Sequence, residues 1–239
     1  MRTNKVKSKI KAGEKVYGCA FTFPSAQLVE MVGVLGFDYI FIDGEHGTFT
    51  LADVEQMCIV ADGVGLTPLA RVPNNHPSTI LRFLDRGVMG ILGPHIVTRA
   101  DVEALVRACK FAPLGIRSFA GHRVMGYSIP EDVPALMTQA NDEVMVSALI
   151  EDAQALENLP EILTVEGLDV VSFGPFDLSQ SLGHPGNPRH PEVVAAMEKA
   201  TAQIRASSKA FGPDFMYATG VTQLLAQGGR EFLRKARES

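Results

Sequence analysis

Short, continuous apolar runs alternate along this chain with segments whose apolar positions recur every three or four residues. The runs fall at 16–21, 39–43, 68–72, 88–92, 144–150, 169–173 and 215–219. The periodic segments fall at 25–35, 51–62, 77–86, 99–110, 153–163, 191–208 and 221–237, after a short first helix around the lysines of 5–11. The runs are apolar at nearly every position, the signature of strands buried on both faces. Strand and helix repeat at roughly 25–35 residues, which predicts βαβ units and a parallel sheet. With so many units and no change of pattern, the expected fold is a (β/α)8 TIM-type barrel spanning 1–239 as one domain.

The strand count falls short. Seven strands are found, and a closed barrel needs eight. The shortfall lies near 209–215, where Ala210, Phe211, Gly212, Pro213 and Asp214 leave no room for a strand plus a return helix. Either one βα unit is lost, or a segment is absent from this sequence.

Composition narrows the class. Hydrophobic residues make up 46% of the 239 and charged residues 21%, which is ordinary for a soluble globular domain. The net charge of −5 is spread along the chain, and no basic stretch beyond Lys5–Lys11 suggests a nucleic-acid footprint. Cys19, Cys58 and Cys109 are odd in number and far apart, so reduced thiols in a cytoplasmic protein are expected. No apolar run approaches the ~18 residues of a membrane span, and no secretory signal is evident.

In a barrel the chemistry sits at the C-terminal ends of the strands. Four predicted strands end in polar groups: Asp43-Gly44-Glu45-His46, Arg71, Glu151-Asp152 and Gly174-Pro175-Phe176-Asp177. Glu151 and Asp177, on neighbouring strand ends, suit a divalent metal such as Mg²⁺ or Mn²⁺. The bland alternative is that each carboxylate caps the helix that follows. His46, three residues after Asp43, suits a general base whose imidazole the carboxylate orients; the alternative is a loop histidine beside a capping aspartate. Arg71 suits a carboxylate or a developing enolate oxygen, or a structural ion pair. At Gly174-Pro175 a tight turn could aim backbone N–H groups at an anion. His95 could line the pocket but ranks below these, and Glu45 could point elsewhere. No lysine ends a strand, which argues against a Schiff base.

In combination, GFDYIFIDGEHG, PLARVP, GIRS, IED with NLPEIL, GLDVVSFGPFDLSQSLG and GNPRHPEV, in that order over 6–205, resemble the HpcH/HpaI family of metal-dependent class II pyruvate aldolases. The resemblance implies reversible cleavage of a 4-hydroxy-2-oxoacid to pyruvate, or a close 2-oxoacid, and an aldehyde. It implies Glu151 and Asp177 as ligands of Mg²⁺, Mn²⁺ or Co²⁺, His46 with Asp43 as acid–base pair, and Arg71 on the pyruvate oxygens. Arg123 matches a loop arginine near the pocket entrance. The resemblance also implies a homo-oligomer, typically a hexamer built as a trimer of dimers, whose last helix packs on a neighbouring subunit. The chain departs from the pattern at Leu149, where many members carry Gln, at Phe176, where a smaller residue is common, and after Lys209, where about one βα unit is missing. A lyase acting on a larger acid or a coenzyme A thioester, with Arg117, His122 and Arg123 as its basic groups, and an inactive metal-binding barrel remain open.

Overall fold

The computed structural model describes residues 2–238. The chain begins with helix α1 (Lys5–Lys11), capped by Asn4, whose side chain accepts from the Lys7 amide. Asn4 also donates to the carbonyls of Met89 and Glu143, which pins α1 across the N-terminal ends of the strands. Then follow β1 (Val16–Phe21), α2 (Ala26–Val34), β2 (Tyr39–Asp43), α3 (Leu51–Gly63), β3 (Thr67–Arg71), α4 (Pro77–Arg86), β4 (Gly90–Gly93) and α5 (Arg99–Cys109). A long loop with a 3₁₀ segment at Arg123–Ser128 leads into α6 (Val133–Glu143) and β5 (Met145–Ile150). The rest runs α7 (Ala153–Glu157), α8 (Leu159–Ile162), β6 (Val170–Phe173), α9 (Pro175–Ser181), α10 (Pro191–Arg205), β7 (Ala210–Phe211), α11 (Gly212–Phe215), β8 (Met216–Gly220) and α12 (Val221–Glu238).

Local chemistry sets these boundaries. Thr50 with Asp53 and Thr98 with Asp101 form capping boxes that satisfy the first amides of α3 and α5. Pro77 and Pro191 open α4 and α10, where a missing N–H costs nothing. Gly87 ends α4 in the left-handed region, at φ 115°.

The eight strands form one all-parallel sheet in the order β7-β6-β5-β4-β3-β2-β1-β8, curled as in a TIM-type barrel. Because β1 sits between β2 and β8, the sheet wraps round on itself; β7 and β8 share no ladder and leave a seam. The strand that the sequence pattern lacked lies inside the short 209–215 gap. It is β7, two residues long, and α11 is the single turn that joins it to β8. Two residues carry too few apolar positions for a periodicity to register, and the strand forms because β6 templates it through Val170–Ala210 and Val171–Phe211.

The main core lies between the outer strand faces and the helices, around Phe21, Ile40, Ile42, Ile91 and Ile150. A second cluster closes the N-terminal end of the barrel, where Val6 and Ile10 of α1 meet Val16, Tyr39, Leu69, Met145 and Val170. All three cysteines are free and buried, and burial pushes Cys19 up to about 11 and Cys58 and Cys109 to about 12. Among the described residues no helix is long and apolar enough to cross a membrane.

Candidate active site

The C-terminal rim gathers one connected polar network. Parallel pairing places Asp43 of β2 beside Arg71 of β3. Asp43 accepts from Arg71 Nε at 3.0 Å and Nη2 at 2.6 Å, a two-point pair that fixes the guanidinium plane. Nη1 of Arg71 reaches Glu45 at 2.9 Å. The turn carrying Glu45 and His46 is stitched to β3 by the Gly44 amide, which donates to the Arg71 carbonyl. A side chain at Gly44 would meet that same carbonyl oxygen at 2.7 Å, so glycine is what lets the turn lie this close.

From Glu45 the network continues to His95, whose Nε2 lies 2.9 Å from Glu45 Oε1. His95 Nδ1 lies 3.0 Å from Glu151 Oε1, and its backbone N–H donates to the same oxygen at 2.7 Å. The His95 backbone is left-handed, at φ 52°, an unfavourable conformation for a residue with a side chain. Both contacts to Glu151 hold it there, as often happens where geometry serves a site. Glu151 is almost fully buried at the end of β5. Its far oxygen faces Gly174, where an added Cβ would fall 2.5 Å from Oε2. Gly174 leads into Pro175, Phe176 and Asp177, the first turn of α9; Asp177 and Phe176 are exposed. Leu149 is buried two residues before Glu151 on β5.

Electrostatics divides these carboxylates. Burial pushes Asp43 up, but the hydrogen bond and charge of Arg71, with the amides of His46 and Glu45, outweigh it and hold the carboxyl below its usual range. Glu151 goes the other way. Burial raises it, the His95 N–H and ring oppose that, and the negative charges of Asp177 and Glu45 raise it further. Asp43, Glu45, Glu151 and Asp177 thus share a rim with one guanidinium. Arg71 engages Asp43 and Glu45, so Glu151 and Asp177 are the rim carboxylates that could hold a hard divalent cation.

The sequence candidates are not all brought together. Asp43, Arg71, Glu151, Asp177, Gly174, Pro175 and Phe176 sit at the rim, with Leu149 just behind Glu151. His46 is on the same turn, yet only its backbone N–H contacts Asp43, at 3.3 Å, because the three-residue spacing folds an aspartate back onto its own turn. Asp43 spends its side chain on Arg71. Arg123 lies elsewhere: it pairs with Asp62 near the C-terminal end of α3 and abuts Gly87. Glu45 and His95, which the sequence ranked low, are the links that join the β2 end to Glu151. The signal for Glu45 was its place between Asp43 and His46; for His95 it was the Gly93-Pro94 turn after β4. Among the described residues, three His, Cys, Asp or Glu ligand atoms converge only at His184, His190 and Glu192. There the two imidazoles stack at 3.5 Å and 15°, so their in-plane lone pairs run side by side instead of toward one ion.

A family model described as HpcH/HpaI aldolase/citrate lyase matches residues 21–236. The chain belongs to that family. It is a carbon–carbon lyase by that membership. Over 209 residues it is 37% identical to a 4-hydroxy-2-oxo-heptane-1,7-dioate aldolase of Escherichia coli, covering 87% of this chain and 79% of the relative. An HpcH/HpaI aldolase from Desulfitobacterium hafniense superposes with a TM-score of 0.89 at 27% identity, covering 98% of this chain and 96% of that one. An HpcH/HpaI aldolase/citrate lyase family protein from Burkholderia cenocepacia gives 0.91 at 27% identity over 98% and 100%.

Proposed function

We propose that this lyase cleaves a 4-hydroxy-2-oxoacid, reversibly, to pyruvate or a close 2-oxoacid and an aldehyde, at a site where Glu151 and Asp177 hold a divalent cation (Mg²⁺, Mn²⁺ or Co²⁺). The observation that carries the reading is the rim network Asp43–Arg71–Glu45–His95–Glu151, found in a chain of this family. When bound, the cation supplies a Lewis acid that polarises the keto group.

The protein's own residues do the rest. Arg71, locked in plane by Asp43 and Glu45, presents fixed positive charge to the oxygen that becomes an enolate as the C3–C4 bond breaks. Its orientation is set before substrate arrives, so little reorganisation is needed during reaction. His46, exposed on the turn that Asp43 braces, takes the C4 hydroxyl proton and returns a proton in the reverse direction. Asp43 therefore serves Arg71 and the turn, and reaches the His46 base through the backbone. His95 holds Glu151 by its backbone N–H and ring, and Gly174 keeps the other carboxylate oxygen clear. The amides at the start of α9 face the substrate carboxylate. Phe176 and Leu149 shape the apolar side of the pocket. We place the enzyme in the cytoplasm as a homo-oligomer, a hexamer assembled as a trimer of dimers.

The coenzyme A thioester alternative is disfavoured. Arg117 is buried against Asp85 and Arg123 is paired with Asp62, which leaves only the half-exposed His122 for a nucleotide in this chain.

The deciding experiment follows hydrogen–deuterium exchange at pyruvate C3 by proton NMR. Exchange that requires the protein, stops with EDTA and returns with Mn²⁺ or Mg²⁺ is the expected result. Absence of exchange with every metal sinks the proposal. Binding of metal and pyruvate with no turnover on any aldehyde moves the chain to an inactive barrel.

A further inference from the structure

Beneath the rim the barrel is not filled. A cavity of about 420 Å³ occupies its interior. Barrels of this type pack that space with layers of bulky branched side chains. Here Gly90, Ser147, Ser172, Gly212 and Ala218 line it instead, and their small side chains leave the volume open. Phe41, Leu69, Met145 and Met216 give it an apolar wall, and none of its lining residues is charged.

Two side-chain hydroxyls lie at this space. Ser147 is 5% exposed and Tyr39 2% exposed, both line the cavity, and neither hydroxyl has a hydrogen-bond partner among the described residues. Water that enters the cavity can satisfy these hydroxyls but gains little from the apolar wall. An occupant with an apolar body and a polar edge would displace that water and keep one hydrogen bond. The lining runs out to the seam. β7 and β8 share no ladder, and Gly212, Pro213 and the half-exposed Tyr217 line the cavity there. At that side only the one-turn α11, and no paired strand, separates the cavity from the outside.

We propose that the barrel interior is a second binding site, distinct from the carboxylate rim, for a small neutral molecule with an aromatic or branched apolar body and one hydroxyl or carbonyl, admitted through the β7–β8 seam. Uncharged lining excludes carboxylates and phosphates, whose desolvation nothing there offsets. The site is thus closed to the 2-oxoacid chemistry of the rim. It stands whether or not the aldolase reading holds.

The test uses the full chain, methionine-methyl NMR, and phenol, toluene and benzoate as probes. Met145 and Met216 touch the cavity, whereas Met31 on α2 and Met57 on α3 do not line it. Phenol should shift the Met145 and Met216 methyls saturably and leave Met31 and Met57 in place, toluene should do so more weakly, and benzoate should do nothing. Ser147→Ala should weaken phenol by roughly 3- to 10-fold, the worth of one hydrogen bond, and leave toluene unchanged. Absence of saturable shifts at millimolar phenol, equal binding of benzoate, or shifts spread evenly over all methionines would each overturn the proposal. Should Ser147→Ala fail to fold, the wild-type titration with the three probes decides by itself.

Discussion

Arg71 is useful because it is held, and charge alone is not enough. Its two-point contact with Asp43 and third contact with Glu45 need a planar guanidinium, which an ammonium cannot imitate. Arg71→Lys should therefore lower pyruvate exchange and aldol cleavage by about 100-fold or more, as for loss of a preorganised oxyanion donor, while Mn²⁺ affinity changes little. Steady-state rates beside a metal titration test this, and equal losses in both would point to a collapsed site. Gly174→Ala should do the reverse. Its methyl would press within 2.5 Å of Glu151 Oε2, and metal affinity should fall about 10- to 100-fold with circular dichroism unchanged. Away from the site, Lys110 is buried with its ammonium on the carbonyls of Asn141 and Val144, and burial lowers it from 10.5 to about 8. The folded chain thus gives up this proton more readily than the unfolded one. The penalty is complete below pH 8 and fades as pH climbs from 8 to 10.5, so wild type should gain on the order of 3 kcal/mol relative to Lys110→Met over that interval. Urea unfolding at both ends of the range reads it; a constant difference between the two chains would contradict the burial argument.

At the level of elements, β7 is the telling case. Phe211, one of its two residues, packs against Phe173 of β6 with ring centroids 5.4 Å apart and planes tilted by 59°, and lies under Arg205 of α10. A strand this short is held by its side chains more than by its ladder. Phe211→Ala should cost about 3 kcal/mol and free β7 from β6, which hydrogen exchange at Ala210 would report as lost protection. The periodicity of the chain placed seven strands and most of the longer helices close to where they occur, but not the eleven-residue α6. It missed β7 because two residues make no pattern, and it merged α7 and α8, which break at Asn158 before Pro160. The same argument explains His95. Its position after β4 was legible, but its left-handed backbone and its two contacts to Glu151 arise only once β4 and β5 are paired.

For the molecule as a whole, the proposed assembly turns on the last helix. α12 lies almost entirely exposed, and Leu225 and Phe232 turn 78% and 69% of their surfaces outward. Uncovered apolar groups of this size are what the proposed homo-oligomer would bury. Leu225→Glu with Phe232→Glu should reduce the sedimenting species from a homo-oligomer toward a single chain, without loss of the helical signal. A wild-type chain that sediments as a monomer at micromolar concentration would count against the assembly.

The amino-acid sequence by itself determined the class of fold, because continuous apolar runs spaced by amphipathic segments can bury their surface in few other ways. It also determined the ionic character of the rim, since strand ends are fixed by the pattern and their polar residues can be read directly. Only the tertiary structure decided which partners those residues take. Asp43 turns its side chain to Arg71, because β2 and β3 lie in parallel register, and takes from His46 only the backbone N–H. Arg123 is drawn to Asp62, and Glu45 with His95 closes the network. The seam between β7 and β8, and the cavity behind it, depend on how eight strands curl round a common axis, which no local pattern encodes.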